Sequence, residues 1–195
     1  MDFIYEVKNN LPKEVCEEII RRFENEHRKY PGPVMGGINY KIKKSTEFHL
    51  FEGVGDNTWK DIDDLLFKKL IEGKREYIKY MDEYHRSKIG IPLDTTFCSQ
   101  VNDTGYRIQR IEKGGFYTWH EDGYVQERRI MSYIWYLNTL EEEDGGETEF
   151  LDKKIRPTQG TLLFFPATWT YIHRGCEVKG KTKYIITGFI TDIAD

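Results

Sequence analysis

The sequence predicts an α+β fold: two N-terminal helices packed on a β-rich, jelly-roll-like second half. Three observations carry that expectation. Apolar residues recur at helical spacing through the first third of the chain. From residue 105 onward they fall instead into seven or eight short strand-like runs. Asp144-Gly145-Gly146, Thr158-Gln159-Gly160, Pro166 and Gly180 place turns between those runs at the intervals of a sandwich or small barrel.

The first helix starts at Pro12, whose fixed φ suits a first helical turn. Val15, Ile19, Ile20 and Phe23 form its apolar face, with Glu14, Glu17, Glu18, Arg21 and Arg22 largely between them. Pro31-Gly32-Pro33 and Gly36-Gly37 end it and open a loop. Tyr40 to Phe51 is irregular with some strand character, and Gly53 and Gly55 punctuate it. A longer helix is expected from about Thr58 to Tyr84, with Trp59, Ile62, Leu65, Leu66 and Leu70 on one face and Gly73 as a candidate break. Strands are expected at Tyr106–Ile111, Phe116–His120, Arg129–Asn138, Glu147–Leu151, Lys154–Arg156, Thr161–Phe165, Tyr171–Arg174 and Thr182–Thr191.

The 195 residues suffice for one domain with a real core, and no linker or repeat divides them. With 4 Trp, 13 Tyr and 11 Phe the chain has too much to bury to be disordered. A net charge of -4 excludes a bulk electrostatic nucleic-acid binder. No apolar run approaches the 18 residues of a membrane span, and the charged start MDFIYEVKNN is unlike a secretion signal. Cys16, Cys98 and Cys176 are odd in number and scattered, as in a protein of a reducing compartment. The expectation is a cytoplasmic protein without membrane or nucleic-acid partners. No signal for an oligomeric state is present.

Of five histidines, His120 and His173 fall on strand-like segments of the β half. Residues i and i+2 of a strand share a face, so His120 and Asp122 are expected to converge. Two imidazoles and one carboxylate, leaving open positions, suit non-haem Fe(II), and His173 is the natural third ligand. An HxD pair alone also arises by chance, as a hydrogen-bonded structural pair. No HExxH, HxH or cysteine cluster competes for a metal, and no GxSxG or GxxxxGK[ST] sequence offers another chemistry. Lys183 follows His173 by ten residues and opens an apolar strand. Pointing inward it would need an anion; the alternative is a solvent-facing strand start.

RIQRIEKGGFYTWHEDG, RRIMSYIWYLNTLEEEDGGETEF, RPTQGTLLFFP and HRGCEVKGKTK, over roughly residues 105–192, resemble the Fe(II)/2-oxoglutarate-dependent oxygenases of the prolyl 4-hydroxylase-like family. That resemblance implies a double-stranded β-helix core over 105–192, supported by a mainly helical 1–90 with a mobile loop, in a single domain over 1–195. It implies that His120, Asp122 and His173 hold Fe(II), and that Lys183, Tyr136 and Thr148 bind the distal carboxylate of 2-oxoglutarate. Arg129 sits where family members contact a peptide, and Tyr117 and Phe189 are further substrate contacts; Tyr124, Trp169 and Tyr171 flank the expected mouth. The implied reaction uses O2 and 2-oxoglutarate, with ascorbate as reductant, to hydroxylate an unactivated C–H, giving succinate and CO2. The implied substrate is proline in a peptide or protein. The same chemistry on a free amino acid, another peptide residue or a nucleobase is the alternative, and a non-catalytic jelly-roll binding protein is another. Lys41–Leu50 is similar to the family's mobile segment at the active-site mouth. Two departures touch the pocket: Ile111 stands where many members carry Tyr, and Phe189 where many carry Trp.

Overall fold

The computed structural model describes residues 3–50, 57–93, 101–123 and 125–192, so Cys98 and Tyr124 lie outside the described residues. β1 (Tyr5–Val7) precedes α1 (Lys13–Asn25), the short strands β2 (Tyr30–Pro31), β3 (Lys43–Lys44) and β4 (Thr46–His49), and then α2 (Lys60–Ile89). The second half holds β5 (Val101–Asp103), β6 (Arg107–Ile111), β7 (Phe116–His120), β8 (Arg129–Tyr136), β9 (Thr148–Phe150), β10 (Lys154–Ile155), β11 (Leu162–Pro166), β12 (His173–Gly175) and β13 (Lys183–Asp192). A larger sheet runs β1-β11-β8-β13-β6-β4-β2, with β5 also on β13, and a smaller one runs β10-β9-β12-β7-β3. The strand pairings are antiparallel. Two such sheets facing one another form a double-stranded β-helix, the jelly roll the sequence predicts.

Strict alternation along the larger sheet divides its residues between two hydrophobic clusters. Met131, Tyr133 and Trp135 of β8, Leu162 and Phe164 of β11, and Ile186 and Ile190 of β13 face the helices. There they meet Cys16, Ile19 and Phe23 of α1 and Ile62, Leu66, Leu70, Tyr77 and Met81 of α2. Ile134, Tyr136, Leu163, Phe165 and Ile185 point the other way and pack with Phe150 and Ile155 of the smaller sheet. Period 3.6 on the helices and period 2 on the strands thus build two cores from one set of apolar residues. Trp135 Nε1 in the first core donates to Asn10 Oδ1 at 2.7 Å, and Asn10 Nδ2 donates to the Lys69 carbonyl at 3.1 Å, so the indole and the amide are both matched.

Two expectations are corrected here. Gly73 does not break α2, which runs unbroken for 30 residues and ends at Gly90 in the left-handed conformation. A Cβ on Gly73 would lie 2.6 Å from Leu162 Cδ2, so the glycine admits β11 against the helix rather than interrupting it. Lys41–Leu50 is not a free lid over most of its length. β3 pairs with β7 in the smaller sheet, and β4 pairs with β6 in the larger. The segment therefore clasps the two sheets together. Lys43 and Glu47, both buried, form a 2.6 Å ion pair within the clasp.

Candidate active site

Between the sheets lies a cavity of about 640 Å³. His120 ends β7 and His173 begins β12, and the two residues are direct Cα partners across the antiparallel pair. That register brings their rings to 4.3 Å, centroid to centroid. Asp122 lies two residues past the end of β7, so it does not share a strand with His120 as the sequence suggested. Its place is set instead from β8: Ser132 donates its hydroxyl to Asp122 Oδ2 at 2.7 Å, and Arg129 Nη1 donates to the Asp122 carbonyl at 3.2 Å. Asp122 Oδ1 stands 3.6 Å from His120 Nε2, and Oδ2 stands 3.6 Å from His173 Nε2.

The imidazoles are oriented by the backbone. His120 Nδ1 donates to the Thr118 carbonyl at 2.8 Å and His173 Nδ1 to the Tyr171 carbonyl at 3.0 Å. With Nδ1 carrying the proton, both Nε2 lone pairs are left for a metal. Burial, with His173 alongside, lowers the His120 pKa to about 4, Asp122 pulling the other way. His120 is therefore neutral at physiological pH, as ligation requires. One ligand atom from each of His120, Asp122 and His173 lies within 4.8 Å of the others. An N2O set on one side of a cavity leaves coordination positions open, the facial arrangement that suits non-haem Fe(II).

Lys183 faces inward. It is 4% exposed and lines the cavity, which excludes the solvent-facing alternative. Among the described residues no carboxylate forms an ion pair with it, and burial lowers its pKa to about 8. Its Nζ lies 5.6 Å from the Tyr136 ring centroid. Tyr136 itself is fully buried behind the wall, where its hydroxyl donates to Thr148 Oγ1 at 2.7 Å. Because Thr148 accepts from Tyr136, its own proton is free to donate into the cavity it lines. Ile111 is the Cα partner of Lys183 across β6 and β13, so the position that departs from the family pattern lies beside the buried ammonium.

The expected substrate contacts are distributed differently. Tyr117 lines the cavity but stacks on His120 at 3.6 Å, supporting that ring. Arg129 lies over the Phe189 ring at 3.6 Å and is gripped by Glu127 at 2.7 Å. Its bond to the Asp122 carbonyl means that it braces the cluster as well as facing the cavity. Trp169 is 74% exposed and does not line the cavity; Tyr171 contributes its carbonyl to His173.

Several contributors escaped the sequence reading. Ser132 carries no motif, though its place on the inner face of β8 follows from alternation. Gln109 Nε2 donates to Thr187 Oγ1 at 2.8 Å across the cavity wall. Cys176 lines the cavity too, donating to Glu149 Oε2 at 3.2 Å; burial and that carboxylate raise its pKa and keep it a thiol.

Residues 106–191 match the model of the 2OG-Fe(II) oxygenase superfamily. No curated protein matches the chain. Among solved structures, a viral collagen prolyl hydroxylase from Paramecium Bursaria Chlorella virus-1, in its 2OG complex, aligns with TM-score 0.66 and 22% identity over 99% of this chain and 97% of that one. A Pseudomonas putida prolyl-4-hydroxylase gives 0.65 and 18% over 98% and 94%. A Trichoplax adhaerens prolyl hydroxylase, in complex with a hypoxia inducible factor oxygen degradation domain peptide fragment, gives 0.75 and 16% over 98% and 84%. At these identities the structural likeness is one of fold. The resemblance read from the motifs is the one these comparisons find.

Proposed function

We propose that this chain, whose residues 106–191 match the 2OG-Fe(II) oxygenase superfamily, acts as a single-domain dioxygenase that hydroxylates proline in a peptide or protein. The observation that carries the reading is the meeting, in one cavity, of the His120–Asp122–His173 cluster with an inward-facing Lys183 that has no carboxylate partner among the described residues. A structural HxD pair explains neither the Nε2 atoms turned toward a common centre nor the buried cation. Fe(II), 2-oxoglutarate and O2 would supply the oxidant for an unactivated C–H bond, with succinate and CO2 as co-products.

The chain's own residues do the rest. His120, Asp122 and His173 hold the metal, and the Thr118 and Tyr171 carbonyls fix the histidine tautomers. Lys183 pairs with the distal carboxylate of 2-oxoglutarate, and Thr148, fed by Tyr136, donates a second hydrogen bond. The apolar wall of Ile111, Ile134 and Ile185 excludes water around that anion and strengthens its pairing. Tyr117, Phe189 and the outward side of Arg129 form the wall against which a substrate ring would rest.

Ser132 serves as a positioning residue through Asp122. Outer hydrogen-bond partners of metal ligands are typically worth about 10- to 100-fold in metal affinity. Ser132→Ala should weaken Mn(II) binding by that factor in a calorimetric titration, and an unchanged affinity would remove Ser132 from the cradle.

The substrate is tested by incubating the protein with Fe(II), 2-oxoglutarate and ascorbate, the proposed reductant, against a panel of proline-containing peptides. A +16 Da product on proline with matching succinate is expected. Product on a free amino acid or nucleobase alone would overturn the peptide reading.

A further inference from the structure

The polar end of the cavity wall, away from Lys183, holds a second charge cluster, built on the buried pair of Lys43 and Glu47. Glu47 is fully buried, and its Oε1 receives Lys43 Nζ at 2.6 Å and the Ser45 hydroxyl at 2.7 Å. Its Oε2 makes no hydrogen bond among the described residues; Arg107 Nε stands 3.8 Å away, too far for one, and is likewise without a hydrogen-bond partner there. Glu47 thus neutralises Lys43, and the Arg107 charge is left over. The Arg107 side chain is 38% exposed and lines the cavity. Two cations around one carboxylate carry a net charge of +1 at the cavity wall.

Position separates this charge from the cosubstrate anchor. Arg107 pairs with Thr187, and Ile111 with Lys183, along the same β6–β13 ladder. Four residues of strand put roughly 13 Å between the two positions. The hydrogen-bonded Gln109 and Thr187 side chains lie along the wall between them. The cavity therefore presents a cation near each end.

We propose that Arg107, backed by Glu47 and Lys43, reads a carboxylate on the prime substrate. A guanidinium that lines a cavity and is partly exposed to it can take a single carboxylate in bidentate geometry. The inference rests on the oxygenase reading and adds to it: the hydroxylated residue is one that carries an anion close by. That anion is either an acidic side chain next to the target in a peptide, or the α-carboxylate of a free amino acid.

The test is calorimetry on the full chain loaded with Mn(II) and 2-oxoglutarate, using two matched pairs of probes. One pair is an end-blocked Asp-Pro-Gly peptide and its Asn-Pro-Gly counterpart; the other is L-proline and L-prolinamide. The carboxylate member of one pair should bind roughly 10- to 150-fold more tightly than its neutral partner, the size of a charge-assisted hydrogen bond. Which pair discriminates identifies the source of the anion. Arg107→Gln should erase the discrimination, and Arg107→Lys, which keeps the charge without the fork, should retain part of it. Equal affinities within both pairs, discrimination that survives Arg107→Gln, or loss of 2-oxoglutarate binding in that variant would overturn the proposal. Product mass in the Fe(II) enzyme separates the two ideas. Discrimination without any +16 Da product sinks proline hydroxylation and leaves Arg107 its role; product without discrimination does the reverse. If no probe binds, both fail.

Discussion

Replacing Lys183 with alanine should raise the dissociation constant for 2-oxoglutarate by about two to three orders of magnitude. Truncating one partner of a buried ion pair costs about 3–5 kcal/mol, chiefly because the other charge is stranded. The cosubstrate carboxylate would meet only the Thr148 hydroxyl in a wall of isoleucines. Lys183→Arg should be milder, since a guanidinium still pairs with a carboxylate. The pH dependence carries a definite sign. Burial holds the Lys183 pKa at about 8, and pairing with an anion raises it. Affinity is therefore fully present below about pH 8 and falls as pH rises through that value, with binding taking up a proton on the alkaline side. Calorimetry in two buffers of different ionisation heat reads both effects. If Lys183→Ala binds 2-oxoglutarate within about threefold of the parent chain, the buried lysine serves another purpose.

His173→Ala should abolish turnover and weaken Mn(II) binding by on the order of a hundredfold or more, since even the outer partners of such ligands are worth 10- to 100-fold. The ring occupies the register position opposite His120 and packs against Phe165 at 4.7 Å and Phe150 at 5.6 Å, so its removal also costs some apolar contact. Thermal unfolding of the metal-free protein separates the two effects. The fold should survive, because both hydrophobic clusters are built without a metal. A variant that keeps near-normal turnover would remove His173 from the metal cluster.

The eight strands expected in the second half are all present as β6 to β13, with ends within a few residues. Alternation is clearest in β8, β11 and β13, whose two faces are buried in different cores. β1, β2 and β5, of two or three residues, left no pattern long enough to read, and β3 and β4 showed only as some strand character within Tyr40 to Phe51. Their contribution is tertiary: β3 and β4 make sense only once both sheets exist to receive them. The same holds within the site. His120, Asp122, His173 and Lys183 announced themselves through spacing and through resemblance. The reason that Asp122 faces the histidines did not, because strand periodicity stops at His120 and the aspartate is held by Ser132 from another strand. Arg129 looked like a pure substrate contact because sequence shows position along β8, not the backbone carbonyl beneath the side chain. The cluster of Lys43, Glu47 and Arg107 was invisible, since Arg107 comes to the buried Lys43–Glu47 pair only through the pairing of β4 with β6.

The central claim is that the histidine–aspartate cluster and Lys183 together run 2-oxoglutarate chemistry. Succinate production from 2-oxoglutarate under air, measured with Fe(II) for the parent chain, Asp122→Ala and Lys183→Ala side by side, tests it most directly. Succinate should form only with metal present, vanish in Asp122→Ala, and in Lys183→Ala require a two to three orders of magnitude higher 2-oxoglutarate concentration. Succinate formation that persists in Asp122→Ala, or none in the parent chain with any substrate on the panel, would contradict the account.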